Sequence, residues 1–202
     1  EPLGALDANL RERMMLELRR IRDTRGVTFM HVTGTENEAL GMGDRMIVLD
    51  AGSAIMIAPP ELIFDQPQTT RVAQVLSAYN ILQGSVRDGR FEHGGSKLPL
   101  PRGSDNAQYY AIRFDSAAIV PPDDPSALMR ATFVASEFTG SGVTYFLRAT
   151  DGVFEVERHL SRADPQVYKG GEELGITWSA ADALAYGADG VLINTPDMRG
   201  AA

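Results

Sequence analysis

Apolar side chains recur at helical spacing near the start of the chain. After Asp7 come Leu10, Met14, Leu18 and Ile21, separated mainly by Arg and Glu, a stripe that predicts a helix over residues 8–25. Asp7 is placed to cap that helix and Gly26 to stop it. The run Val27-Thr-Phe-Met-His-Val32 is β-branched and aromatic and predicts a buried strand. A turn at Thr33–Thr35 and a short helix over residues 36–42 follow. Residues 45–50 and 53–58 read as two strands around the turn pair Ala51-Gly52. Pro59-Pro60 opens a short helix at 61–64, and residues 70–76 form another.

The pattern changes after about Ser77. Short apolar runs alternate with Gly, Asp and Pro at 81–86, 109–114, 130–138, 143–149, 153–159 and 174–178. Several alternate with period 2, as in Val153 to Arg158, and Asp151-Gly152 between two runs is a hairpin signal. Strands at this spacing predict a small barrel or sandwich. Residues 92–107 are rich in Gly, Pro and Ser and read as loop. The stretch from Ala188 has weak patterning and is expected to fray.

Composition adds mainly exclusions. The 202 residues carry a net charge of −8, spread over both parts, which argues against a nucleic-acid binder held by phosphate contacts and a polybasic membrane anchor. Without cysteine there is no disulfide framework, Cys-based zinc site or thiol nucleophile. The apolar runs fall short of the ~20 residues a spanning helix needs. The first residue, Glu1, falls inside what reads as a motif, so the sequence is expected to be a piece of a longer protein.

That motif, Glu1-Pro-Leu-Gly-Ala-Leu-Asp7, resembles the D-P-L-S-A-L-D type of loop of ABC ATPases. Further along, Val32-Thr33, Glu38-Ala-Leu40, Asp44-Arg45, Ala51-Gly52, Pro60-Glu61-Leu-Ile-Phe64, Pro67 and Val72-Ala73 resemble successive submotifs of importer ATPases, in family order. In the later part, Asn80-Ile-Leu-Gln-Gly84 and Ile176-Thr-Trp178 with Asp182 resemble the TOBE domain of the same subunits. Ala111-Ile-Arg113 resembles an I-R-P-E strand, with Phe114-Asp115 in place of Pro-Glu. The resemblance covers nearly the whole chain and is strongest to polyamine and ferric-iron importers, then to sugar and glycerol-phosphate importers. It implies an α/β C-terminal remnant of an ABC ATPase domain over 1–77, followed by an all-β, OB-like TOBE barrel over 78–202.

The chemistry follows from the same resemblance. Glu1 is at the position of the general base that polarises the attacking water; read without the family, it is a terminal residue. Asp7 is at the D-loop position that couples two ATPase subunits, and is equally a plain N-cap. The family's switch histidine position holds Gly34, which has no side chain to orient water, so slow hydrolysis is expected of the parent protein. His31 lies three residues earlier and reads more readily as a packed strand residue than as a displaced switch. No G-x-x-x-x-G-K-[ST] loop and no L-S-G-G-Q signature is present. ATP and magnesium are therefore cofactors of the parent family, and this chain alone is not expected to bind them tightly. The partners implied are permease subunits and a second copy, forming a homodimer through the ATPase and TOBE parts. The location implied is cytoplasmic, at the inner face of the membrane.

Other residues carry less. His31, His93 and His159 lack metal-ligand spacing, Asp123-Asp124 lie in a proline-flanked loop, and Ser136, Ser141 and Thr144 have no recognisable His–Asp arrangement. Trp178 reads as a core or barrel-edge aromatic rather than a stacking platform. The rival to the ATPase reading is a non-enzymatic TOBE-type module that binds a small ligand in a loop-lined cleft.

Overall fold

The computed structural model describes residues 3–161 and 165–194. The chain forms two compact units, Glu1–Pro67 and Gln68–Ala202. The sequence pattern changes near Ser77, whereas the contacts divide after Pro67, because the helix Thr70–Val75 packs on strand Tyr79–Gln83 of the second unit.

The first unit contains α1 (Ala8–Arg25), α2 (Glu36–Met42), the antiparallel strands β1 (Met46–Asp50) and β2 (Ser53–Ala58), and α3 (Pro60–Asp65). Helix α1 starts where Asp7 accepts the Leu10 N–H at 2.9 Å and ends at left-handed Gly26, whose N–H returns to the Arg22 carbonyl. Ala51 and Gly52 both take positive φ between β1 and β2, the geometry a tight twisted hairpin requires. Val48, Met56, Ala58 and Ile63 are buried.

The buried strand expected at Val27–Val32 does not form. Residues 27–33 have no regular secondary structure and no described strand pairs with them; Phe29, Met30 and Val32 are exposed. β-Propensity is a fit to a pleated, half-buried surface rather than a backbone preference. Among the described residues the run has no neighbouring strand and so no ladder to join. Helix α1 likewise has no buried residue, and Leu10, Met14, Leu16 and Ile21 are exposed.

The second unit is barrel-like and almost all β. After α4 (Thr70–Val75) come β3 (Tyr79–Gln83), β4 (Ser85–Arg87), β5 (Arg90–His93), β6 (Ser96–Pro99), β7 (Tyr109–Arg113), β8 (Ala118–Val120), β9 (Met129–Phe138), β10 (Gly142–Ala149), β11 (Gly152–His159), β12 (Glu173–Thr177) and β13 (Ala183–Tyr186). The orders are β11-β10-β9-β12-β8, β13-β7-β3 and β4-β5-β6. All three sheets feed one core, which includes Phe91, Leu98, Tyr110, Leu147, Phe154, Ile176 and Trp178. A line of rings runs through it: Phe91 to Tyr110 at 5.3 Å, Tyr110 to Trp178 at 6.1 Å, and Trp178 stacked on Phe154 at 5.7 Å. Trp178 is a core aromatic.

Two expectations need correction here. Residues 92–107 are not simply loop: β5 ends and β6 runs within them, turned by Gly94 and Gly95 at positive φ, and Leu98 is fully buried. Of the stretch from Ala188, residues 195–202 lie outside the described residues, and residues 188–194 are not frayed. Val191 and Leu192 bridge to Thr69 and Tyr186, and buried Asn194 accepts the Ala185 N–H at 2.6 Å while donating to the Ala183 carbonyl at 3.2 Å.

Candidate functional site

The start of α1 and the approach to α2 meet around one buried carboxylate. The loop before α1 is closed by the Leu6 N–H bonding the Leu3 carbonyl at 3.1 Å. Side chains on a helix lean toward its N-terminus. Arg11, in the first turn, accordingly reaches back over that loop, donating Nη2–H to the Leu6 carbonyl at 3.0 Å and Nε–H to the Leu3 carbonyl at 3.4 Å. A cation at a helix N-terminus opposes the macrodipole. Glu38 compensates, with its Oε1 3.4 Å from Arg11 Nε.

Glu38 is the third residue of α2, where an acid favours the dipole. Thr35-Glu36-Asn37-Glu38 has capping-box spacing, but the box closes indirectly. The Thr35 N–H bonds Thr33 Oγ1 at 3.0 Å, and the Thr33 hydroxyl donates to Glu38 Oε2 at 2.7 Å. His31 Nε2 stands 3.2 Å from the same oxygen. The Glu38 side chain is 4% exposed. Its Oε1 is buried and receives no hydrogen bond among the described residues. The Thr33 hydroxyl holds the Glu38 carboxyl below the ordinary carboxylate range, helped by the His31 hydrogen bond and the Arg11 charge and opposed by desolvation. An ionised carboxylate withdrawn from water needs pairing, and these partners hold the two loops in one arrangement. A cavity of about 150 Å³ beside it is lined by Ala8, Arg11, Glu12, Met15, Thr35 and Glu38.

Of the residues singled out in the sequence, Glu1 lies outside the described residues. Asp7 is exposed and caps α1. Gly34 is exposed between Thr33 and Thr35. His31 is not a packed strand residue; it is partly buried against Glu38. Arg11 carried no signal in the sequence, whereas the capping-box spacing could have pointed to Glu38.

The second unit holds a cavity of about 270 Å³ lined by Ser85, Arg87, Glu92, His93, Gly94, Gly95 and Lys97. Glu92 lies between its two cations, 3.7 Å from Arg87 and 3.8 Å from Lys97. Buried His93 uses Nδ1–H on the Gln83 carbonyl at 2.8 Å. Asp124 bonds the Ser126 N–H and hydroxyl at 2.8 and 2.7 Å, a local turn. His159 is exposed on β11. Among the described residues no three His, Cys, Asp or Glu side chains group as a metal site, and no helix is long and apolar enough to cross a membrane.

No family model matches the sequence. Individual relatives do. The spermidine/putrescine import ATP-binding protein PotA of Rubrobacter xylanophilus is 32% identical over 200 residues, covering 93% of this chain and 52% of that protein. The Fe(3+) ions import ATP-binding protein FbpC of Streptomyces coelicolor is 31% identical, covering 95% of this chain and 53% of its own length. The sn-glycerol-3-phosphate import ATP-binding protein UgpC of Vibrio vulnificus is 36% identical over 61% of this chain and 35% of its own. Among solved structures, the molybdate-bound form of the cytoplasmic molybdate-binding protein ModG is similar over 54% of this chain and 96% of its own, at 16% identity and a TM-score of 0.44. The chain is homologous to the ATP-binding subunits of ABC importers and corresponds to their C-terminal part. It spans about half the length of these relatives, and spermidine/putrescine import proteins recur among them.

Proposed function

We propose that this chain is the coupling end of an ABC importer ATP-binding subunit, most like the polyamine type. Residues 1–77 contribute the end of the ATPase domain and residues 78–202 a TOBE-type regulatory domain. The observation that carries this reading is the meeting of the Leu3–Asp7 loop and the Thr33–Thr35 turn at Glu38, in segments whose sequence resembles the D-loop and switch of importer ATPases. The exposed apolar run at 27–32 and the uncovered face of α1 support a unit that packs against the nucleotide-binding portion of an ATPase.

On this reading Glu1 is the general base, Asp7 lies at the contact between two copies, and Gly34 leaves the switch position without a side chain. ATP and magnesium are held by the nucleotide-binding portion, since this chain has no phosphate loop. The partners are permease subunits and a second copy of the chain, at the inner face of the membrane. The imported substrate is selected elsewhere.

The test joins residues 1–202 to the nucleotide-binding portion of the Rubrobacter xylanophilus relative and measures ATP turnover. Slow hydrolysis is expected, falling by a factor of about 10² or more in Glu1→Gln and rising in Gly34→His. Turnover indifferent to Glu1→Gln overturns the reading. So does micromolar calorimetric binding of magnesium-ATP to the 202-residue chain alone, which favours the separate binding module.

A further inference from the structure

We propose that Arg11 and Glu38 are positioning residues that tie the Leu3–Leu6 loop to the Thr33–Thr35 turn, so that a change in either is felt by the other.

The two segments are more than twenty residues apart in sequence and share no described backbone hydrogen bond. Their connection is made by side chains. On one side, Arg11 spans the loop through two carbonyls, Leu3 and Leu6. On the other, the Thr33 hydroxyl accepts from the Thr35 N–H and donates its own O–H to Glu38 Oε2. Glu38 joins the halves, with Oε2 serving the turn and His31 and Oε1 facing Arg11.

Two features make this a coupling and not two separate caps. The carboxylate side chain is almost wholly covered by its partners, so the loss of one partner leaves the others to re-pair it, and every partner's position depends on the others. The junction with Glu38 is 3.4 Å long, as is the Arg11 Nε contact with the Leu3 carbonyl, and the buried Oε1 holds an unused acceptor. Arg11 has a lone pair to close on when the loop moves, and release of the turn frees Glu38 to follow. A planar, forked guanidinium holds two carbonyls and faces a carboxylate with fixed donor directions; an ammonium gathers its three donors on one atom at the end of a flexible stem and cannot reproduce that spread.

The functional consequence rests on the ATPase reading: the D-loop-like and switch-like segments would reach their working positions together. The geometric consequence stands without it, and the experiment separates the two. In the 202-residue chain, amide hydrogen exchange is followed at Leu6, whose N–H bonds Leu3, and at Thr35, whose N–H bonds Thr33. Near-isosteric Thr33→Val is expected to speed exchange severalfold at distant Leu6, and Arg11→Lys to do so at distant Thr35. Glu38→Gln is expected to speed both, and the Thr33→Val/Arg11→Lys pair to be non-additive. Exchange that changes only next to each substitution overturns the relay. If Thr33→Val fails to fold by circular dichroism, Arg11→Lys read at Thr35 decides alone. In the joined ATPase, Arg11→Lys is expected to lower kcat about tenfold with KM unchanged. Cross-coupled exchange in a protein without turnover overturns the ATPase reading and supports the relay.

Discussion

The indole N–H of Trp178 donates to the hydroxyl of Tyr110 at 2.8 Å inside the core of the β unit. That hydroxyl in turn donates to the Pro99 carbonyl at 3.1 Å, so one buried oxygen joins β6, β7 and the residue that follows β12. Burial pushes the Tyr110 hydroxyl far above the ordinary phenol range, and it remains a neutral donor throughout the usable pH range.

Tyr110→Phe is expected to leave the indole N–H and the Pro99 carbonyl without their partner. The cost is about 1–3 kcal/mol for each buried group left unsatisfied. Trp178 is the only tryptophan, so its fluorescence during urea unfolding reads this unit directly. A midpoint unchanged from the unsubstituted chain would refute the expectation.

Asn80 clasps β11 from outside the sheet. Its Nδ2 donates to the Glu155 carbonyl and its Oδ1 accepts the Glu155 N–H, both at 2.8 Å. The amide thereby imitates a strand partner. Asn80→Asp removes the donor and sets a carboxylate against a carbonyl, so it is expected to destabilise the unit more than Asn80→Ala. Amide exchange at Glu155 should quicken in both.

Two glycines should respond differently to alanine. At Gly26 the positive φ is the only obstacle, since an added Cβ meets nothing within 4 Å; Gly26→Ala is expected to cost about 1 kcal/mol. At Gly84 an added Cβ runs into the Glu92 carbonyl oxygen and lies 2.8 Å from the Phe91 ring. Gly84→Ala must push β5 away or displace a buried ring, so a larger loss of thermal stability is expected.

Acid should loosen the first unit through Glu38. Its carboxyl titrates below the ordinary value of 4.5 in the folded chain, so the folded state prefers the ionised form. That contribution is fully present above the unfolded value and is lost as pH falls through the folded one. Glu38→Gln removes it. Amide exchange at Thr35 should differ between the two proteins at neutral pH and converge as the pH falls below the lowered folded-state value of the Glu38 carboxyl. A difference that grows with acid would contradict the sign.

Local chemistry sufficed for the elements whose causes are local. Asp7 and Gly26 bound α1, Ala51-Gly52 turns one hairpin, Thr150-Asp151, one residue before the expected pair, turns another, and Pro60 opens α3, because caps and tight turns depend on a few adjacent residues. The order of short motifs likewise points to importer ATPases from the sequence alone. Tertiary structure decided whatever depends on partners far away in the chain. Val27–Val32 has strand-forming residues and, among the described residues, no strand to pair with. Ser96–Pro99 lies in a Gly- and Pro-rich stretch yet pairs with Arg90–His93, because Leu98 has a core to enter. Glu38 is a residue of a family-like motif in the sequence, and Arg11 an ordinary helix cation. Only folding shows that they meet, because a buried carboxylate must find its counter-charge and donors in space, wherever along the chain they lie.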